Sequence, residues 1–449
     1  MSLLKDETGR GGAGFCPLRW TLLGCARRMG KTRPSPFRNA PDRAKMTRMS
    51  KPSATLAQAF SNIGHAYSHI LTILYPTVVL ALEREWGLSY GELIALMLAG
   101  QILFGAAALP AGWLGDRWST LGMMVVFFVA TGMAAILTGL ARNTFEIALG
   151  LALIGLFASI YHPVGMAWLV RTAVNRGRAL GTNGVFGAVG LAVAPLIAGA
   201  LTDLISWRAA FIIPGASAAA FGVALLFAWR LGYVCDTRAD VRPQPEPERG
   251  HVVRAIFVLS VTMMCVGLIG QAFSVLLPKL FAERLQDVTG GGTLGAGTLV
   301  TIVYLFAALA QYVGGRLADR FPMRNVYIGA FVIQTPVLFL AALLDSWPLL
   351  FVSIAMVFIN VAALPAENGL LAKYTPGKWR ATAYGAKFVL ALGVSAAAIP
   401  LIAYVHDTTG GFFWLFVLMG ILAAVVFLAA LLLPSERHPA LAAAAGAAE

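Results

Sequence analysis

Long apolar runs, separated by short charged turns, fill the chain from residue 56 to residue 433. A helix needs roughly 20 apolar residues to cross the hydrocarbon core of a bilayer, and lipid offers no partner to a backbone amide outside a helix or closed barrel. The runs therefore predict spanning helices at about 56–82, 88–113, 121–140, 145–170, 179–201 and 209–228. A second set follows at about 255–281, 295–317, 325–344, 348–372, 381–404 and 412–433. Between the sets, residues 230–254 gather Arg230, Asp236, Arg238, Asp240, Arg242, Glu246, Glu248, Arg249 and Arg254 around Pro243, Pro245 and Pro247, which breaks the apolar pattern. The expected fold class is an all-α membrane protein of twelve transmembrane helices in two six-helix bundles, 55–230 and 254–434. A linker at 231–253 joins them, and tails at 1–54 and 435–449 flank them.

The second run ends in Gly112-Trp113-Leu114-Gly115-Asp116-Arg117, and the eighth ends in Gly315-Arg316-Leu317-Ala318-Asp319-Arg320, a G-x-x-x-D-R pattern in both. The two aspartates are 203 residues apart, and Pro76 with Pro278, Pro163 with Pro365, Arg178 with Arg380 and Gly190 with Gly393 keep an offset of 202 or 203. Five pairs in chain order at nearly one spacing indicate a duplicated unit. The bundles are thus read as pseudo-symmetric halves.

Composition agrees, with 58% hydrophobic residues, 12% charged and a mean hydropathy of +0.75, where soluble domains carry about 25% charged residues. The net charge of +13 does not point to nucleic acid, because residues 1–51 hold twelve lysines and arginines against three acids and so carry +9 of it. That Gly-, Pro- and Arg-rich tail has no helical period and is expected to be disordered. It is open whether translation begins at Met46 or Met49 or whether the tail is a basic arm for anionic lipid. Cys16, Cys25, Cys235 and Cys265 form no C-x-x-C pair, so neither disulfide nor zinc is expected from them. Lys and Arg gather in the turns after even-numbered helices, as Arg117, Arg171, Arg176, Arg178, Arg320, Arg324, Lys373, Lys378 and Arg380, and in the tail and linker. This bias puts both termini in the cytoplasm, with the protein multi-pass in the inner or plasma membrane.

Polar side chains at membrane depth are costly unless they face a cavity or a partner. His65 and His69, at i, i+4, share one face of helix 1, and His162 lies in helix 4 within Tyr161-His162-Pro163. These imidazoles suit helix-to-helix hydrogen bonding or a proton-coupling or substrate-cavity role; a three-histidine metal site would need the two helices to converge. Glu367, Asn368 and Lys387 fall inside helices 10 and 11, where Glu367 and Lys387 neutralise each other or Lys387 holds an anionic substrate group. Gln271 and Lys279 on helix 7 face His69 and Thr77 by repeat symmetry, Lys279 close enough to the edge to snorkel. Gly181, Gly184, Gly187 and Gly190 make a small-residue stripe for close helix contact on helix 5. Asp116, Arg117, Asp319 and Arg320 are either ordinary flanking charge or gate residues, the carboxylates favoured by a neighbouring helix dipole.

Twelve spans, a 6+6 repeat, a charged central loop and G-x-x-x-D-R after the second helix of each half make residues 55–435 resemble the major facilitator superfamily. The first copy of the signature continues as Trp118-Ser119-Thr120 and the second as Phe321-Pro322-Met323-Arg324, where the superfamily usually has a small residue and further basic ones. Within it, the early histidine of helix 1, Leu74-Tyr75-Pro76 and Tyr161-His162-Pro163 look most like the fosmidomycin-resistance group of drug exporters, although His69 stands where that group tends to have an acid. The resemblance implies the major facilitator fold and a secondary transporter working by alternating access. Proton-coupled efflux of a drug or metabolite leads, ahead of uptake of a small organic anion and of a receptor or scaffold with the same fold. An enzyme is not expected, since no nucleophile, base and orienter occur together. Substrate, protons and the bilayer are the expected partners of a monomer, with no nucleic acid, cofactor or metal.

Overall fold

A computed structural model describes residues 53–173, 176–235, 252–375, 387 and 389–434. The expected tails and most of the expected linker lie outside the described residues, as do Lys378 and Arg380. Among the described residues twelve spans follow in order, with one bent helix pair taken as a single span. The first half comprises α1 Ala54–Trp86, α2 formed by Tyr90–Ala106 and Ala108–Arg117, α3 Thr120–Gly139, α4 Thr144–Thr172, α5 Arg176–Leu204 and α6 Trp207–Arg230. The second comprises α7 Val252–Arg284, α8 Thr293–Arg320, α9 Met323–Ala341, α10 Ser346–Tyr374, α11 Val389–Thr409 and α12 Phe413–Ala430. Large apolar side chains on the outside, among them Phe145, Phe257, Phe351 and Trp414, have no place in water and suit a lipid rim.

Local chemistry sets the ends. Ser53 caps α1 by accepting from the Leu56 amide at 3.2 Å, and Gly87 closes it in the left-handed conformation at φ 66°. Such termination favours glycine, which has no Cβ to strain. Ser89 and Glu92 form a reciprocal capping box at the start of α2, each satisfying an amide that the helix leaves open.

Three spans expected to be continuous are interrupted. The two parts of α2 meet at 41°, because Pro110 has no N–H for the carbonyl of Ala106 and its ring crowds that turn. Tyr161–Gly165 in α4 is a π turn around Pro163, and α11 opens with a π turn at Val389–Gly393 followed by a 3₁₀ turn at Val394–Ala397. π turns insert one residue into the helical register and recur at functional sites.

The halves meet most tightly where α5 crosses α8. A Cβ on Gly297 would lie 2.3 Å from the Pro195 carbonyl oxygen, and one on Gly199 would lie 2.6 Å from that of Thr293. Small residues at both positions let the backbones touch. At the same end, Lys279 pairs with Glu83 at 2.6 Å, and Asp407 accepts from the Ser89 hydroxyl at 2.7 Å and the Gly91 amide at 3.1 Å. Asp203 there accepts from the Leu294 amide at 2.7 Å, and Arg84 donates to the Thr293 hydroxyl at 3.1 Å. Toward the other end the helices diverge: on α5, Ala194 and Ala198 are fully buried whereas Val185 is 59% exposed.

Hydrogen bonds to a charged group are worth about 1.5–3 kcal/mol. Removing those of Asp407 in an Asp407→Ala variant should therefore raise the population open at this end about tenfold or more. The measurement is maleimide labelling, from that side, of a cysteine placed at Ser274 in the buried interior; an unchanged labelling rate would show that the α5–α8 crossing alone holds the halves.

Candidate functional site

Between the halves lies a cavity of about 260 Å³ lined by His69, Thr72, Gln101, Phe104, Gln271, Tyr304, Asn360, Glu367 and Lys387 among others. A larger cleft of about 480 Å³ between α8, α9 and α10 has Asn325 as its one polar side chain among ten apolar ones and a glycine. Without convergent polar groups it cannot orient a solute, so the central cavity is the candidate site.

His69 stands on its first-half wall, and His65 and His162 converge on it. His65 and His69 rings lie 5.1 Å apart, His65 and His162 5.5 Å, and His69 and His162 5.6 Å. The i, i+4 spacing aligns the first two, and the π turn of α4 presents the third to them. His65 is gripped: Tyr161 stacks on its ring at 5.0 Å, and a Cβ on Gly187 would collide with it at 2.5 Å. Its Nδ1 lies 2.8 Å from the Asn183 carbonyl oxygen. A carbonyl only accepts, so Nδ1 carries the proton and Nε2 keeps a free lone pair in the neutral ring. Beneath, the Tyr161 hydroxyl donates to the Ser61 carbonyl at 2.9 Å and receives from Asn183 Nδ2 at 2.8 Å.

On the second-half wall, Lys387 donates to Glu367 Oε1 and to Asn368 Oδ1, both at 2.6 Å, and the Tyr327 hydroxyl donates to Glu367 Oε2 at 2.9 Å. In this arrangement Glu367 and Lys387 are paired with each other. Glu367 is 1% exposed, and an ion so placed is tolerated only with a partner and hydrogen bonds on its remaining lone pairs. Gln271 lines the same cavity as His69. Its Nε2, like Nδ2 of Asn360, is buried with no hydrogen-bond partner among the described residues. Each such donor costs about 1–3 kcal/mol unless water or a ligand satisfies it.

Other expected residues lie elsewhere. Lys279 pairs with Glu83 and does not line the cavity. Asp116 pairs with Arg171 of its own half at 3.0 Å while 72% exposed, and Arg117 lies over the Trp113 ring at 4.6 Å. Asp319 and Arg320 are exposed at the same end. Of the glycine stripe, Gly187 and Gly190 pack on α1, but a Cβ on Gly181 or Gly184 would meet nothing within 4 Å; these two stand on the diverging part of α5. Asn183, Asn360, Tyr304 and Tyr327 were not singled out from sequence. Asn360 carries the same signal as Gln271, a polar residue at membrane depth, whereas Asn183 is hidden inside the glycine stripe.

An exposed ion pair is worth about 0–1 kcal/mol, so Asp116→Asn and Asp319→Asn should leave insertion and melting temperature essentially unchanged while slowing exchange between open states. Transport at the wild-type rate by both variants, at equal abundance, would remove the gating role.

The profile of the Major Facilitator Superfamily matches residues 63–294 and 259–449 of the chain. A multidrug resistance protein, MdtG of Escherichia fergusonii, is 26% identical over 283 residues, covering 60% of this chain and 67% of that one. A probable sulfoacetate transporter, SauU of Cupriavidus necator, is 23% identical over 386 residues, covering 78% and 86%. Among solved structures, an inward-facing bacterial homologue of the human lysosomal transporter Spinster superposes with a TM-score of 0.69 at 14% identity, covering 86% of this chain and 98% of that one. The transporter FucP in its outward conformation gives 0.58 at 15% identity, covering 85% and 99%.

Proposed function

The chain belongs to the Major Facilitator Superfamily, and from that premise we propose that it exports a small molecule, drug or metabolite, in exchange for protons. The observation that carries the reading is the cavity between the halves, latched at the Glu83–Lys279 end and lined by an apolar wall with a few polar groups. Sites between pseudo-symmetric repeats near the midplane are what alternating access requires. The Lys and Arg bias of the turns supports a cytoplasmic Asp116 end, so this arrangement is open inward, where a substrate for export enters. The unpartnered amides of Gln271 and Asn360 favour a solute bearing acceptor oxygens, held against Phe104 and Tyr304. The likeness of His65, Leu74-Tyr75-Pro76 and Tyr161-His162-Pro163 to the fosmidomycin-resistance exporters supports the same direction, and the similarity to MdtG, a multidrug resistance protein, agrees with a drug as substrate.

Glu367 is the group we assign to the coupling proton. Its carboxylate sits on the cavity wall, and taking up a proton would dissolve its pairing with Lys387. The histidines then serve the substrate side of the cavity. Asp116, Arg117, Asp319 and Arg320 serve as the gate that forms when the inward end closes.

A second reading rests on that same pair. Protonated Glu367 leaves Lys387 without its counter-charge, held only by Asn368, which suits uptake of a small organic anion together with a proton; SauU, a probable sulfoacetate transporter, is similar in the anionic character of its solute. Proteoliposomes with an imposed pH gradient, run with a panel of organic anions and apolar drugs, distinguish the readings. Export predicts substrate moving against the proton gradient, uptake predicts movement with it, and a rate indifferent to the gradient would end proton coupling in either direction.

A further inference from the structure

We propose that His65, His69 and His162 form a binding site for a divalent transition-metal cation of the zinc class, with one coordination position open to the central cavity. The site does not rest on the transport reading. One nitrogen from each ring can be chosen so that all three lie within 4.8 Å of one another, with every ring partly accessible. A tetrahedral zinc ion with Zn–N of about 2.0–2.1 Å needs these nitrogens about 3.4 Å apart, so binding would draw His69 and His162 toward the fixed His65.

A second feature is independent of the distances. Metal-bound histidines characteristically donate their other ring N–H to a carbonyl or carboxylate, which fixes the tautomer and aims the lone pair. His65 has this arrangement, Nδ1–H to the Asn183 carbonyl, with its ring held between Tyr161 and Gly187. Three neutral nitrogen donors select zinc, copper, nickel or cobalt over magnesium or calcium, whose hard ions want oxygen. The bound ion would keep its double charge in a poorly polar cavity, so its fourth position draws an anion or a water, the open position of a catalytic-type zinc site. A cation held there would thus add an anion-recruiting centre to a cavity whose lining lysine, Lys387, is paired with Glu367.

The test uses the full chain purified without a histidine tag and titrated with Co²⁺, then with Zn²⁺. One equivalent of Co²⁺ should bind with the intense visible bands of tetrahedral nitrogen coordination, and Zn²⁺ should displace it. His65→Gln, His69→Gln and His162→Gln should each weaken binding at least tenfold. His406→Gln should leave it unchanged, although His406, with Glu283 at 2.9 Å and Asp407 at 3.2 Å, is a competing cluster. Should a variant fail to fold, protection of wild-type His65, His69 and His162 from diethyl pyrocarbonate by Zn²⁺, read by mass spectrometry, supports the site; equal modification with and without Zn²⁺ overturns it. Binding as strong in the triple His→Gln variant, or binding lost with His406→Gln alone, overturns it as well.

Discussion

Glu367→Gln is expected to abolish transport driven by a pH gradient while sparing binding of substrate. The carboxylate is replaced by an amide of the same shape, so contact with the Tyr327 hydroxyl survives, but the group can no longer take up or release a proton. Stability should fall as well. Lys387, 11% exposed, would keep only Asn368 opposite its ammonium, and removing one partner of a buried pair costs about 3–5 kcal/mol. Replacing both, as Glu367→Gln with Lys387→Met, should restore most of the melting temperature in detergent without restoring gradient-driven flux. That dissociation separates a proton carrier from a structural strut. Gradient-driven transport at the wild-type rate by stably folded Glu367→Gln would return the proton site to the histidines of α1 and α4.

The second large effect is expected at the crossing of the halves. Gly297→Leu sets a side chain against the Pro195 carbonyl, already 2.3 Å from the position of a Cβ. A backbone oxygen cannot rotate away as a side-chain tip does, so α5 and α8 must separate. Overpacking of this kind costs about 1–3 kcal/mol, which shifts the balance of open states roughly fivefold to 150-fold. The arrangement latched at Glu83 and Asp407 should lose population, and flux should fall with it. Gly329→Leu is the control, since a Cβ at Gly329 meets nothing within 4 Å. Cysteine labelling from each side of the membrane reads the shift; if Gly297→Leu and Gly329→Leu behave alike, the tight crossing does not govern the equilibrium.

Some of this was written along the chain. The spans, the duplicated half and the Asp116 and Asp319 turns follow from hydropathy and local motif, because lipid demands apolar length before anything else and a repeat is visible in one dimension. The depth rule also singled out His65, His69, His162, Gln271, Glu367 and Lys387 as costly groups needing partners. Which partner each would find was not legible. Lys279 meets Glu83 across 196 residues, and His162 reaches the α1 histidines because Pro163 sits in a π turn. Nor did spacing reveal that Gly199 and Gly297, outside the glycine stripe, bring the backbones of the two halves into contact. The cause is physical. In a helix surrounded by lipid the buried face and the lipid face are both apolar, so the periodicity that marks the inside of a soluble helix is muted. The amino-acid sequence thus determined how many helices cross the membrane and which polar groups must be satisfied there. Crossing angles, helix breaks and backbone approach, fixed only when the helices pack, decided which groups satisfy one another and which of them face the cavity.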